Sequence, residues 1–222
     1  MKKNIIIYFS ITAFLVVLFV VFTIIVKTVD VSIVGPAGSS IGLSHLNAKI
    51  FNTVGTSSVM DKLTDICLVL SVLVAFSIVC VGVVQLAKRK SLLKVDKSIL
   101  WLALVYILVA IVYVFFEFVV INFRPIVASG QIEPSYPSSH TLIVSCIMLS
   151  SIFVMNNLFT NKILKYGYLA VSTIITIFNA VGRLLSGMHW FTDIVGAILL
   201  SAAIVMLYVS IISYLKDKSI QK

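Results

Sequence analysis

Three polar residues near the end of the chain have the types and the spacing to do chemistry. Arg183 is followed after five residues by His189, and after three more by Asp193. If both lie on one helix, a carboxylate four residues after a histidine can hold one imidazole N–H, which leaves the other ring nitrogen free as a nucleophile or base. Alone, such a pair is usually a local hydrogen bond, so its meaning depends on the groups around it.

Two of the three arginines are placed to bind a phosphate group. Arg124, which is followed by Pro125, and Arg183 carry permanently charged, fork-shaped guanidinium groups. Two such groups converging on one point suit phosphate better than a neutral ligand. An isolated Arg-Pro at the end of a membrane span is usually an interfacial anchor. The phosphate interpretation therefore requires that both arginines lie at the same end of the fold.

The segment Pro137-Ser138-Ser139-His140 supplies further polar groups. Ser138, Ser139 and the first N–H groups of a following helix are donors for an anion, and the helix dipole favours negative charge there. His140 is then placed to protonate a leaving oxygen. The plain alternative is a helix start in which the proline is a breaker and the serines are caps.

The elements that position these motifs are predicted to be membrane-spanning helices. The 222-residue chain is 60% apolar and 11% charged, with a mean hydropathy of +1.15, which excludes a soluble domain. We expect an all-α polytopic membrane protein, a single six-transmembrane-helix bundle over residues 1–222. The predicted spans are about 4–28, 60–87, 98–121, 139–160, 166–183 and 190–214.

The distribution of Lys and Arg predicts the orientation of the bundle. With the N-terminus inside, the inner segments hold twelve of the seventeen basic residues, so both termini are expected to be cytoplasmic. All three motifs then lie at the extracytoplasmic boundary. The bias of Lys over Arg hints at a bacterial plasma membrane. The net charge of +9 is explained by this topology and by anionic lipid headgroups, so membrane lipids and not nucleic acid are the expected partners.

The outer loop 29–59 is predicted to contain a short amphipathic helix, because apolar residues recur at helical spacing from Leu43 to Val54. This helix either borders a lipid entrance or merely covers the bundle. His45 on it is expected to be a solvated surface histidine.

Neither a metal nor another cofactor is expected. Cys67, Cys80 and Cys146 are odd in number, lack metal-site spacing and fall in predicted spans, where they are expected to pack as apolar side chains. Apart from the acid of the His–Asp pair, only Glu117 and Glu133 are expected near the motifs, which is too few for a magnesium cluster.

Together, the motifs resemble those of the type 2 phosphatidic acid phosphatase superfamily, the membrane lipid phosphate phosphatases. The family pattern is Lys, six residues, Arg-Pro; then Pro-Ser-Gly-His; then Ser-Arg, five residues, His, three residues, Asp. The matching residues here are Arg124, Pro125, Pro137, Ser138, His140, Arg183, His189 and Asp193.

The resemblance implies that His189 attacks phosphorus to form a phosphohistidine, that Asp193 orients it, and that His140 protonates the leaving group. It also implies a phosphate-binding set made of Arg124, Arg183, Ser138 and Ser139. Family members typically act without a metal on phosphatidic acid, phosphatidylglycerol phosphate or isoprenyl diphosphates. We therefore expect a metal-independent lipid phosphatase, with a polyprenyl diphosphate as the preferred substrate.

The chain departs from the family pattern at three positions. Ser139 replaces Gly and Gly182 replaces Ser, and both changes are mild. Glu117 replaces the Lys seven residues before Arg124, and a carboxylate about 8 Å from a phosphate charge opposes binding by roughly 2 kcal/mol at an effective dielectric near 20. We hypothesise that Glu117 tunes the site by bracing Arg124 or Arg183 or by meeting a cationic headgroup. The alternative is a lipid-shielded glutamate with no catalytic role.

Other functions stay open at this stage. In a lipid phosphotransferase, an acceptor other than water would intercept the phosphohistidine. A catalytically silent lipid-phosphate binder or transporter is a further alternative, suggested by Glu117. A channel or secondary transporter has less support, because the sequence lacks a repeat and a pair of broken helices. The sequence does not determine the oligomeric state.

Overall fold

The computed structural model describes residues 2–127 and 130–220. Within this part of the chain, seven α-helices form the molecule, joined by short loops and one two-stranded antiparallel ribbon, β1 (Ser32–Ile33) with β2 (Ser40–Ile41). The helices are α1 (Lys2–Thr28), α2 (Ser44–Val54), α3 (Ser58–Arg89), α4 (Lys97–Phe118), α5 (Ser139–Leu158), α6 (Lys162–Leu185) and α7 (Phe191–Ile220).

Every helix except α2 is long and apolar enough to cross a membrane, so the chain is a multi-pass membrane protein. The predicted all-α fold with six spans is confirmed, with helix ends displaced by a few residues. α4 ends at Phe118, three residues before the predicted end, because Asn122 takes part in loop pairing. α6 begins at Lys162, four residues early, because the Asn161 side chain accepts a hydrogen bond from the N–H of Ile163 at 2.8 Å.

α5 and α7 form the buried centre of the bundle. α5 packs against α3, α4, α6 and α7, while α1 lies along α7. Small residues of α5 permit this close packing, and the hydroxyls of Ser150 and Ser151 donate to carbonyl oxygens of their own helix. As a result, α5 carries polar side chains through the core without leaving these hydroxyls unpaired.

The predicted amphipathic helix corresponds to α2, which packs over the start of α7. Asn47 is fully buried there, and its amide donates to Gly42 O and Thr192 Oγ1, both at 2.9 Å. His45 is largely exposed and lies 2.6 Å from Asp30, as expected of a surface histidine. These contacts favour a helix that covers the bundle.

One end of the bundle collects the motifs and is called here the site end. α3, α5 and α7 begin at it, and α4 and α6 end at it. The loop between α4 and α5 doubles back on itself, because residues 122–124 are hydrogen-bonded to residues 133–135 in antiparallel fashion. This pairing brings the start of α5 and the end of α4 together.

Candidate active site

His189 lies in the turn between α6 and α7 and is buried. Its Nδ1 is 3.0 Å from the carbonyl oxygen of Ser135. A carbonyl only accepts, so Nδ1 carries the hydrogen, and Nε2 of the neutral ring keeps its lone pair. Among the described residues, Nε2 has no hydrogen-bond partner. Burial, then the positive charges of Arg183 and Arg124, hold the pKa of His189 well below its ordinary value, which preserves the nucleophilic form.

Asp193 does not hold the imidazole N–H as the sequence suggested. α7 begins at Phe191, so His189 precedes the helix and the geometry of two residues on one helical face does not apply. Oδ2 of Asp193 lies 3.6 Å from His189 Nδ1 and accepts instead from the backbone N–H of Trp190 at 2.9 Å. The fully buried carboxyl group is still close enough to the imidazole ring to stabilise a positive charge on it when ionised.

The carbonyl group that holds His189 is itself fixed by packing. Tyr136, the residue after Ser135, is buried, and its hydroxyl is hydrogen-bonded to Thr23 Oγ1 at 2.8 Å. Its ring lies directly against Gly196 of α7, where an added Cβ would approach it to 2.5 Å. A side chain at this position would require Tyr136 to shift, so the loop that carries the carbonyl of Ser135 packs closely against α7.

Arg183 is almost fully buried, and only part of its guanidinium group is hydrogen-bonded. Its Nη1 donates to Asp61 Oδ1 at 2.6 Å and to Thr64 Oγ1 at 3.2 Å, both on α3. Its Nε is buried and has no partner among the described residues. α3 therefore holds one nitrogen of the guanidinium group while another remains available to an anion.

Sequence reasoning missed two acids of the site. Only Glu117 and Glu133 were expected near the motifs, whereas Asp61 and Asp65 also lie there, one helical turn apart on the face that α3 turns to α6. The available signal was a pair of carboxylates at the start of an otherwise apolar span, which is costly without partners. Within residues 2–127 and 130–220, no group of three or more His, Cys, Asp or Glu is arranged to hold a metal ion.

Gly182 explains how α3 comes so close. A Cβ at this position would lie 2.6 Å from the Thr64 methyl carbon, so the serine that the family pattern has here would not fit without a shift. The loss of that hydroxyl is thus linked to the approach of Thr64, whose own hydroxyl contacts Arg183.

His140 lies in the first turn of α5 and faces α3. Its Nε2 is 3.0 Å from Asp65 Oδ1. Its Nδ1 is buried and has no partner among the described residues. The two histidines of the site are therefore held through opposite ring nitrogens.

Arg124 is paired within its own loop. Its Nε lies 3.0 Å from Glu133 Oε2, and its backbone N–H donates to the carbonyl oxygen of Glu133. Glu117 lines the same pocket beside Tyr113. Arg124 and Arg183 are thus each paired with an acid other than Glu117.

The two serines before His140 differ in position. Ser138 is fully buried and caps α5, because its Oγ accepts from the N–H of Thr141 at 3.4 Å. Its own N–H donates to the carbonyl oxygen of Asp193 at 3.1 Å, which ties α5 to α7. Ser139 lines the pocket together with Arg124 and His189. Ser139 is therefore the better placed of the two to contact a ligand.

Unpaired buried polar atoms lie in this pocket and close to it. Buried polar groups are normally hydrogen-bonded, so a cluster of unpaired ones indicates a site for a polar ligand. With donors and a free imidazole nitrogen around one point, the arrangement suits in-line transfer of a phosphoryl group. The unpaired atoms are His189 Nε2 in the pocket and, close to it, His140 Nδ1 and Arg183 Nε.

Comparisons with known proteins identify the fold and the family of the chain. Among solved structures, the chain is similar to the transmembrane PAP2-type phosphatidylglycerolphosphate phosphatase from Bacillus subtilis, with a TM-score of 0.64, 16% identity, and coverage of 91% of this chain and 96% of that one. No curated protein sequence matches. The model of the PAP2 superfamily matches residues 98–217, just over half of the chain, and this segment contains all the motif residues. The chain therefore belongs to the PAP2 superfamily.

Proposed function

We propose that the protein is a metal-independent lipid phosphatase that works through a phosphohistidine on His189. The observation that carries this proposal is the buried, unpartnered Nε2 of His189, which lines a pocket with Arg124 and Ser139, while Arg183 Nε and His140 Nδ1, close by, are also unpartnered. A lone pair facing free cationic donors is the arrangement that attack on a phosphate ester requires. Membership of the PAP2 superfamily and the fold shared with a phosphatase support the same activity.

In the first step, the Nε2 lone pair of His189 attacks phosphorus and forms a P–N bond. The P–O bond to the lipid breaks, and His140 gives a proton to the leaving oxygen. Arg124, Arg183 and Ser139 stabilise the equatorial phosphate oxygens. Asp193 stabilises the positive charge that develops on the phosphorylated imidazole.

In the second step, water attacks phosphorus in line with the P–N bond. His140, now neutral, takes a proton from this water, and the P–N bond breaks. Inorganic phosphate leaves, and His189 returns to its neutral state with the hydrogen on Nδ1. Each group ends the cycle in the protonation state in which it began.

A lipid substrate fits the surroundings of the pocket. Tyr113 lines both the polar pocket and an apolar groove of about 240 Å³ between α3, α4 and α5. A phosphate group in the pocket thus has a hydrophobic surface beside it for a lipid tail. We favour a polyprenyl diphosphate over phosphatidic acid and phosphatidylglycerol phosphate, on the extracytoplasmic face of a bacterial plasma membrane. The positive-inside distribution of Lys and Arg supports that side for the site, with both termini in the cytoplasm.

The test is phosphate release by the purified protein in EDTA from each of the three lipids. His189→Ala is compared with His45→Ala, which removes the exposed histidine at the same end of the bundle. We expect release that survives EDTA, persists in His45→Ala and falls by at least about 10³-fold in His189→Ala. Absence of release by folded wild-type protein would contradict the proposal in favour of a lipid-phosphate binder. Transfer of the phosphoryl group to an added alcohol acceptor, without release of inorganic phosphate, would instead indicate a phosphotransferase.

A further inference from the structure

We infer that Asp65 is a positioning residue for the leaving-group acid, because it holds His140 through Nε2 and leaves Nδ1 to deliver the proton. This inference rests on the proposed function, in which His140 protonates the lipid oxygen. Asp65 belongs to α3, outside the segment 98–217 that matches the family model.

The hydrogen-bond pattern carries the inference. Oδ1 of Asp65 lies 3.0 Å from Nε2 of His140, and an ionised carboxylate only accepts, so Nε2 carries the hydrogen. In the imidazolium form, the second hydrogen is on Nδ1. That nitrogen is buried and has no partner among the described residues. The proton given to the leaving oxygen is therefore the one on Nδ1, and the neutral ring that remains keeps its hydrogen bond to Asp65.

Asp65 also lies close to the guanidinium group of Arg183. Its Oδ1 also lies 3.8 Å from Arg183 Nη1, so the carboxylate stands between the imidazole ring and the guanidinium group. Arg183 has its closer contact with Asp61, at 2.6 Å. The two carboxylates of α3 therefore have different partners. Asp61 contacts the phosphate-binding Arg183, and Asp65 contacts His140.

The positions of Asp61 and Asp65 depend on the contact between α3 and α6. α3 reaches the site because position 182 is glycine and the Thr64 methyl occupies the space of a side chain there. Thr64 lies between the two acids in sequence, so the same contact places both of them. The side chain of Asp65 is 57% exposed, against 19% for His140, so its replacement leaves the packed core untouched.

The test uses the leaving group as the readout. A lipid alkoxide needs protonation as it leaves, whereas nitrophenolate leaves readily without it. We expect Asp65→Asn to lower hydrolysis of the alkyl lipid phosphate by about 10- to 100-fold, part of the 10²–10⁴ that general acid catalysis supplies. For p-nitrophenyl phosphate, kcat/KM reports only the phosphorylation step, before His140 acts as the base, and should fall by less than about threefold. Asp65→Glu should recover part of the loss with the lipid. The retained nitrophenyl activity also shows that the variant is folded.

Asp61→Asn is the matched control, one turn away on the same helix. Because Asp61 contacts Arg183, this change should lower both reactions to a similar extent. Adding Asp65→Asn to His140→Ala should cause no further loss with the lipid. Equal losses of both substrates in Asp65→Asn, or no loss of either, would overturn the inference while leaving the phosphatase assignment in place. If the wild-type protein releases phosphate from neither substrate, the proposed function and the inference both fall.

Discussion

The two histidines of the site are held by different kinds of partner. His189 is hydrogen-bonded to a backbone carbonyl in a loop that is locked to α7 by Tyr136 and Gly196. His140 is hydrogen-bonded to the half-exposed side chain of Asp65 on a neighbouring helix. A buried, rigid environment keeps a nucleophile in position for attack. An acid must exchange protons with water, which is easier when its hydrogen-bond partner is exposed to solvent.

The partners of the two histidines also come from different parts of the chain. The His189 half is built from the motif segments within residues 98–217, and the partner of His140 comes from α3, before that segment. Changes in the first half should therefore affect every substrate. Changes on α3 should affect reactions according to how strongly they need the acid or the arginine.

After His189→Ala, the largest effect is expected from Asp193→Asn. The buried carboxylate lies 3.6 Å from His189 Nδ1, so its neutralisation removes stabilisation of the charged imidazole in the transition state. We predict a loss of about 10²-fold or more in kcat for both alkyl and aryl phosphates. Asp96→Asn, which alters an ion pair with Arg89 at the opposite end of the bundle, serves as the control and should leave kcat unchanged. A loss confined to alkyl phosphates would contradict this prediction, because it would show that Asp193 assists the acid His140 and not the nucleophile His189.

A second prediction concerns the contact that brings α3 to the site. Gly182→Ser should destabilise the protein by about 1–3 kcal/mol through overpacking against Thr64, and should lower activity by displacing Asp61 and Asp65. Thr64→Ser removes the methyl group but keeps the hydroxyl that contacts Arg183. The double variant should therefore recover both stability and activity. Stability is measured by thermal unfolding in detergent, and a double variant no better than Gly182→Ser would show that α3 is placed by other contacts.

The pH dependence of His189 gives a third prediction. Because its folded-state pKa lies below the ordinary value of 6.5, the unfolded chain takes up this proton first as the pH falls, and the free energy of unfolding decreases below about pH 6.5. The folded nucleophile remains neutral in that range. With p-nitrophenyl phosphate, which does not need the acid, the acidic limb of kcat/KM should lie below pH 6.5. An acidic limb of kcat/KM at or above pH 6.5 that persists in His140→Ala would contradict the prediction that the buried His189 is neutral in this range.

The smallest effect is expected at Glu117, which lines the pocket where the family pattern has Lys. Removing its charge in Glu117→Gln should improve phosphate binding and lower KM by a few-fold, since exposed charge effects are modest. The ratio of kcat/KM between diphosphate and monophosphate lipids reports this change. An unaltered KM and an unaltered ratio would remove Glu117 from the phosphate site.

The helices and the site motifs were predictable because both leave local signals. Long apolar runs give the spans, and scarce residues such as Arg183 and His189 stand out against them. The partners of those residues were not predictable, because a hydrogen bond from His189 to the carbonyl of Ser135 leaves no trace in residue type. The approach of α3 depends on Gly182 meeting Thr64, a long-range contact that no sequence spacing encodes.

The most direct test of the account is to trap the phosphorylated protein. Wild-type protein in EDTA is mixed with radiolabelled lipid phosphate and quenched in alkali, which preserves phosphohistidine, and the labelled peptide is identified by mass spectrometry. The account predicts one acid-labile phosphate on His189, absent from His189→Ala and present in His45→Ala. Turnover without any labelled histidine, or with the label on His140, would contradict it.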